Sequence, residues 1–202
     1  MFYMNLKARL YFSPLGYIIH IITYLYAFIG GRCLIYGYRD KASHKYLHRC
    51  RMASTVYYTH KERLHVEDNV WINHYVRIDA TGGVSIGEGC QIGYGACILS
   101  HSSHNAIRLM GYKYMEYSFN ERIGYILKPV KIGSYTFVGG GSYIMPGVTI
   151  GKGCVIGVNS VVTRDLPDYS VAVGSPARII ASTKDIDNKY LHSNTINLNY
   201  YE

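Results

Sequence analysis

The sequence predicts a parallel β-helix of hexapeptide repeats, and three observations carry that expectation. An aliphatic residue returns every six positions from Ile132 through Val138, Ile144, Ile150 and Ile156 to Val162. Glycine often follows this anchor, as at Gly133, Gly139, Gly151 and Gly157. Four places after the anchor the residue is small or β-branched: Thr136, Ser142, Val148, Cys154, Ser160. A period of six matches neither the roughly 3.6-residue helix nor the alternation of a half-buried strand. It is the mark of short strands joined by corners into a solenoid. The anchor points inward, and glycine lets the backbone turn closely at the corner.

With 202 residues the chain suits one domain plus short appendages, and 49% hydrophobic residues can build a sizeable core. The formal charge is +8, with Lys and Arg scattered apart from a cluster at Arg39 to Arg51. A basic balance suits nucleic acid, an anionic membrane surface or a phosphorylated ligand. No nucleic-acid motif is present, so nucleic acid is not an expected partner. The five Cys form no metal-like pairs. Cys90 and Cys154 fall on the small inward position of the repeat, and read as buried hydrophobes in a reducing compartment. No metal is expected.

Residues 1–64 precede the repeats and read as an N-terminal helical segment. Leu15 to Gly30 is an apolar run, LGYIIHIITYLYAFIG. At helical spacing Leu15, Ile18, Ile19, Ile22, Tyr26 and Ile29 share one face, and Gly16, His20, Thr23, Ala27 and Gly31 the other. The run is short for a membrane span, which needs about 20 residues, and it lacks a signal-peptide cleavage site. Two readings lead, a helix pair packed on the β-helix or a neighbouring subunit and a peripheral membrane helix, with a true span as the remaining alternative. The second would use residues 1–35, with Lys7, Arg9 and Arg32 at lipid head groups.

The β-helix domain is expected over residues 65–180. Val66, Ile72 and Ile78 open it, and two extra residues near Thr81-Gly82-Gly83 reset the phase before Ile86, Ile92 and Ile98. The period then breaks over 99–131 and resumes at Ile132, giving twelve anchors and, at three per coil, about four coils. Each buried anchor is worth roughly 2 kcal/mol before entropy. The insertion 99–131 carries two His, several Tyr and a hydroxyl-rich lead, and solenoid insertions often carry function. After Val162 come a polar stretch and SVAVGSPARII, with turn chemistry at Gly174-Ser175-Pro176. Residues 181–202 read as a polar, mobile or weakly helical tail.

The segments IGEGCQIGYGACILSHSSHN, KPVKIGSYTFVGGGSYIMPGVTIGKGCVIGVNSVVTRD and VAVGSPARII together resemble one family. It is that of the hexapeptide-repeat acyltransferases, nearest to sugar O-acetyltransferases of the galactoside and maltose acetyltransferase type. The resemblance covers about Val66 to Ile180. It implies a left-handed parallel β-helix, acetyl-coenzyme A as co-substrate, and a homotrimer with sites between neighbouring prisms; a cytoplasmic location is expected. It implies residue roles as well. His104 matches the catalytic base, with His101 three residues away and assigned to the acceptor side. Gly140 matches the position whose backbone N–H faces the thioester oxygen. Phe137 and Gly139 match the pantetheine groove, and Arg164 and Arg178 basic positions near the coenzyme A phosphates. Asp79 resembles a residue facing the acceptor, and Asn73 a neighbour of that site. Val158-Asn159 departs from the small pair common in the coenzyme groove.

Acetyl transfer to a hydroxyl needs a base, because a protonated alcohol is a poor nucleophile, and imidazole is suited to the task. The oxyanion of the tetrahedral intermediate needs preorganised N–H donors, which a corner such as Gly139-Gly140-Gly141 can present. The expected activity is thus O-acetylation of a sugar hydroxyl, in a surface polysaccharide or its lipid-linked precursor, by direct transfer. The membrane-leaning N-terminus motivates the choice of acceptor and a place at the inner face of the membrane. Three alternatives stay open: N-acetylation of a nucleotide-linked amino sugar, a zinc enzyme like the γ-type carbonic anhydrases, and a non-catalytic scaffold.

Overall fold

The computed structural model describes residues 13–190. Lys7 and Arg9, and the tail beyond 190, lie outside the described residues.

Helix α1 (Pro14–Phe28) starts where Ser13 accepts a hydrogen bond from the Leu15 N–H, with proline in its first turn. It leads into a hairpin, β1 (Leu34–Arg39) and β2 (Tyr46–Ala53), paired antiparallel. Residues 34–53 are therefore strand, where the sequence suggested helix. Alternation of long side chains in LIYGYR and YLHRCRMA is the local signal for it.

Strand β2 already belongs to the solenoid, pairing parallel with the strand one coil on. With β3 (Tyr57–Thr59) and β4 (Leu64–Val66) it forms a first coil. The second coil is β5 (Trp71–Ile72), β6 (Arg77–Asp79) and β7 (Val84–Ile86). The third runs through β8 (Gln91–Ile92) and β9 (Cys97–Leu99). It is interrupted by β10 (His101–Ser102), α2 (His104–Met110) and β11 (Ile126–Leu127), and completed by β12 (Val130–Ile132). The fourth is β13 (Phe137–Val138), β14 (Tyr143–Ile144) and β15 (Thr149–Ile150). Then β16 (Val155–Ile156), β17 (Val161–Val162) and a bridge from Ile150 to Leu166 make a fifth. The chain closes with the hairpin β18 (Ser170–Gly174) and β19 (Ala177–Ser182), followed by the short helix α3 (Thr183–Asp187).

These strands make three faces. The first stacks β2, β5, β8, β13, β16 and β18; the second β3, β6, β9, β14 and β17; the third β4, β7, β12 and β15. Register is kept by the anchors. Ile72, Ile92, Val138 and Ile156 form one column, Ile78, Ile98, Ile144 and Val162 another, and Val66, Ile86, Ile132 and Ile150 the third. All twelve are at most 3% exposed, and they form the spine of the core, which also takes in Leu64, Val70, Val76, Val84 and Val130. The insertion leaves no gap, because Ile98 and Ile132 occupy consecutive faces of one coil. The expected left-handed parallel β-helix is the fold. Its stack starts earlier than Val66, because Met52 and Tyr58 stand in the first and second columns without the aliphatic-glycine signature.

The small inward residues fill the corners. The Thr136 hydroxyl donates to Gly151 O at 2.9 Å and Ser142 to Gly157 O at 2.8 Å, so these buried polar groups are satisfied. Cys50 and Cys90 are buried and form no disulfide. Burial pushes their thiols up to about 12 and about 11, which removes them as thiolate nucleophiles.

Candidate functional site

The corner between the second and third faces gathers a cluster of titratable and hydroxyl side chains around Asp79 and His101. Its first element is the eight-residue step from Ile78 to Ile86, two longer than the regular period. The extra length forms a ledge at Asp79 to Gly83. Ser100 fastens the ledge to the coil above: its hydroxyl donates to Asp79 O at 2.6 Å and accepts from the Gly82 N–H at 2.8 Å. A Cβ at Gly82 would stand 2.6 Å from Ser100 O, so only glycine fits where the insertion leaves the coil.

Asp79 is held from several sides. Its Oδ1 accepts from Thr59 Oγ1 at 2.9 Å, from Thr81 Oγ1 at 2.5 Å and from the Thr81 N–H at 3.2 Å. Its Oδ2 faces His101 Nδ1 in a short hydrogen bond. Burial alone would raise this carboxyl, but the bonds from Thr81, Thr59 and His101 outweigh it and bring the pKa below its ordinary value. An ionised Asp79 accepts from Nδ1–H and so leaves Nε2 as the free basic nitrogen of His101.

His101 sits on β10, a strand too short to hold a ring by itself. Pairing with β11 fixes its backbone, opposite Leu127. Tyr125 stacks on the imidazole with ring centroids 5.8 Å apart, and Phe119 stacks on Tyr125 at 5.5 Å. Behind them Arg122 is the hub of the insertion. Its Nε donates to Tyr114 O at 2.9 Å and Tyr117 O at 3.0 Å, and its guanidinium lies 4.0 Å from the Tyr114 ring centroid. The result is an imidazole backed by a carboxylate and flanked by an aromatic wall, beside the exposed edge of the insertion.

The other expected residues are distributed differently. His104 opens α2, is exposed, and its Nδ1 pairs with Ser102 Oγ at 2.7 Å. The carboxylate partner is thus on His101 and not on His104. Gly139, Gly140 and Asn73 lie at the corner between the first and second faces, in line with Gly93. A Cβ at Gly93 would stand 2.5 Å from Gly140 N, and one at Gly139 2.6 Å from Val158 N, so this corner is as tight as a backbone can make it. The Gly140 N–H makes no hydrogen bond among the described residues. Phe137 is exposed on the first face. Arg164 is exposed beyond β17, and Arg178 is exposed on β19, its Nη1 donating to Ala177 O at 3.0 Å. Asn73 stands at a different corner from Asp79 and His101 within one chain. Among the described residues no group of three His, Cys, Asp or Glu is placed to hold a metal ion. Residues 59, 122 and 125 were not marked by any repeat or motif, and residue 81 only by the phase reset at Thr81-Gly82-Gly83; the abundance of Tyr in the insertion pointed toward the aromatic wall.

Comparison with known proteins gives a consistent picture. Residues 129–164 match the family described as bacterial transferase hexapeptide (six repeats). A Staphylococcus aureus (strain COL) protein named as an acetyltransferase is 51% identical over 69 residues, 34% of this chain and 33% of that protein. The galactoside O-acetyltransferase of Escherichia coli (strain K12) is 33% identical over 137 residues, covering 67% of this chain and 62% of the relative. Among solved structures, a galactoside acetyltransferase in complex with coenzyme A superposes with a TM-score of 0.56 at 30% identity, over 69% of this chain and 64% of that one. A maltose O-acetyltransferase from Clostridium difficile 630 gives 0.52 at 30% identity, over 63% of each chain. The matches thus span from a third to less than two thirds of these relatives' lengths. The resemblance read from the repeats and the closing motif is borne out.

Proposed function

We propose that the chain is an acetyl-coenzyme A-dependent O-acetyltransferase acting on a sugar hydroxyl, with His101 as general base and Asp79 as its orienting partner. The observation that carries this is the Asp79–His101 pair at the foot of the insertion. A base must be held in one tautomer with its free nitrogen toward the acceptor, and only His101 of the two candidates has a carboxylate to do so. A sugar suits the stacked rings of Tyr125 and Phe119, whose faces offer an apolar platform beside the base. The galactoside and maltose acetyltransferases among the relatives act on acceptors of that class by name.

The steps follow from the groups. His101 Nε2 takes the proton from the sugar hydroxyl as its oxygen attacks the thioester carbonyl carbon. A C–O bond forms, and the carbonyl oxygen becomes an oxyanion, which the Gly140 N–H is suited to meet. The C–S bond then breaks, and the imidazolium gives its proton to the departing thiolate. Phe137, Arg164 and Arg178 are assigned to the coenzyme, as groove wall and phosphate contacts. No covalent enzyme intermediate is required.

One chain does not bring these groups together. The dyad is at the second–third corner and Gly140 at the first–second corner, a face apart. A face of about six residues is roughly 15–20 Å long, too far for one carbonyl to meet both. We therefore propose a trimer in which one copy's glycine corner completes its neighbour's dyad. Incubating the protein with acetyl-coenzyme A and a panel of sugars and glycans, with mass spectrometry of the products, tests the function. A product heavier by one acetyl group on a hydroxyl supports it; products confined to amino groups, or none, overturn it.

A further inference from the structure

Helix α1 is buried the wrong way round for a soluble surface helix. Its small and polar stripe faces the protein: Gly16 is buried, and His20, Thr23 and Ala27 are half-buried, joined by Ile19, which the sequence placed on the opposite face. His20 Nδ1 meets Tyr36 O at 2.6 Å, and Thr23 Oγ1 bonds back to Ile19 O. Its large apolar residues face outward. Ile18, Ile22 and Leu25 are 52%, 59% and 58% exposed, and Phe28 and Ile29 are 82% and 79% exposed. A continuous apolar surface of this kind marks a contact site.

Beneath this helix lies a cavity of about 420 Å³, between α1, the β1–β2 hairpin and the first coil. Tyr24, Ala27, Phe28, Ile35 and Met52 give it an apolar side, and Arg39, Lys41 and Lys61 a cationic one. Among the described residues none of these three cations makes an ion pair. Lys61 Nζ lies over the rings of Tyr38 and Tyr58 at 4.8 and 4.9 Å. Tyr38 also lines the cavity. It is 4% exposed, and its Oη has no hydrogen-bond partner among the described residues. The nearby carboxylate of Asp40 is buried; its Oδ2 is engaged by Ser43 N–H and His65, and its Oδ1 has no hydrogen-bond partner among the described residues. Between Ser13 and Val66 there are eight Lys and Arg against two acids.

We propose that this element seats an anionic membrane lipid, its phosphate among Arg39, Lys41 and Lys61 and its hydrocarbon against Tyr24, Phe28 and the outer face of α1. The chain then lies on a membrane rather than across it. A helix of 15 residues is only about 22 Å long, less than the hydrocarbon thickness, and no described helix is long and apolar enough to span. Like charge argues against a second copy as the occupant, since two such faces would bring their cations together. The inference does not depend on acetyl transfer, although a membrane-held chain suits an acceptor carried on a lipid.

The test is sedimentation of the full chain with vesicles of phosphatidylcholine alone or mixed with phosphatidylglycerol. Binding to the anionic vesicles, weakened by salt, is expected. The triple variant Arg39→Gln, Lys41→Gln, Lys61→Gln should lower that partition by about a hundredfold, at about fivefold per charge. The variant Ile22→Ser, Phe28→Ser, both at exposed positions, should lower it by about tenfold or more. Circular dichroism and thermal melting confirm that both variants fold. Equal binding to neutral vesicles, no binding at all, or a triple variant that binds like the parent overturns the proposal. So does a helix variant whose assembly mass changes in light scattering while its partition does not, since the helix would then face another copy.

Discussion

The coils and the insertion are built on different rules. In the coils every residue is placed by repetition: a side chain six positions on stands at the next corner, and the backbone ladder carries it there. Within the insertion nothing repeats. Residues 101, 122 and 125 meet through specific bonds and ring contacts, and residue 79 reaches them from a coil below. The difference teaches that the solenoid supplies rigidity and a ledge, whereas the proposed chemistry rests on a few contacts that the repeat does not encode. Stability and activity should therefore respond to different substitutions.

The largest separation is expected at Asp79. Asp79→Asn keeps the shape but presents an amide to His101 and favours the wrong tautomer, so turnover should fall by about 10²–10⁴-fold in steady-state assays. Its stability effect should follow pH. The folded carboxyl has a lowered pKa, so its contribution is complete above the ordinary value of 3.8 and is lost as pH falls through the lower folded value. Denaturation of parent and variant should thus differ by a constant amount at neutral pH and converge only in acid.

The converse is a core change. Ile144→Ala removes a fully buried side chain from the second column and should cost about 2–5 kcal/mol in denaturant unfolding. Turnover of the folded fraction should stay near that of the parent. A drop in turnover matching an Asp79 variant would break the division between scaffold and site.

A smaller effect belongs to the hub. Arg122→Ala frees Tyr114 and Tyr117 and loosens the wall over His101, so turnover should fall about tenfold through misplacement of the base. Global stability should change by less than about 1 kcal/mol, because the insertion can open without unstacking the coils.

Much of this was legible in the sequence, and for a physical reason. A period of six residues makes Ile72 and Ile92, or Ile144 and Val162, neighbours by arithmetic, so faces and columns follow from spacing. Met52 and Tyr58 escaped because they fill the same columns with unbranched or aromatic side chains. The 34–53 hairpin escaped because its basic residues masked its alternation. In the site, spacing from Ile98 points to the start of the insertion but does not separate His101 from His104. That distinction lies in the bond to Asp79, 22 residues earlier in the chain, and in the stacking of Tyr125. Partnerships of that range have no local signature.

The central claim is tested most directly by comparing His101→Ala with His104→Ala in turnover and in coenzyme A binding by calorimetry. The account predicts that His101→Ala loses about 10²–10⁴-fold in turnover, a barrier increase of roughly 3–5 kcal/mol, with coenzyme A affinity nearly intact. His104→Ala, which gives up only a contact with Ser102, should lose less than about tenfold. Loss confined to His104→Ala would move the base to the start of α2, and activity retained by both variants would contradict general-base catalysis at this corner.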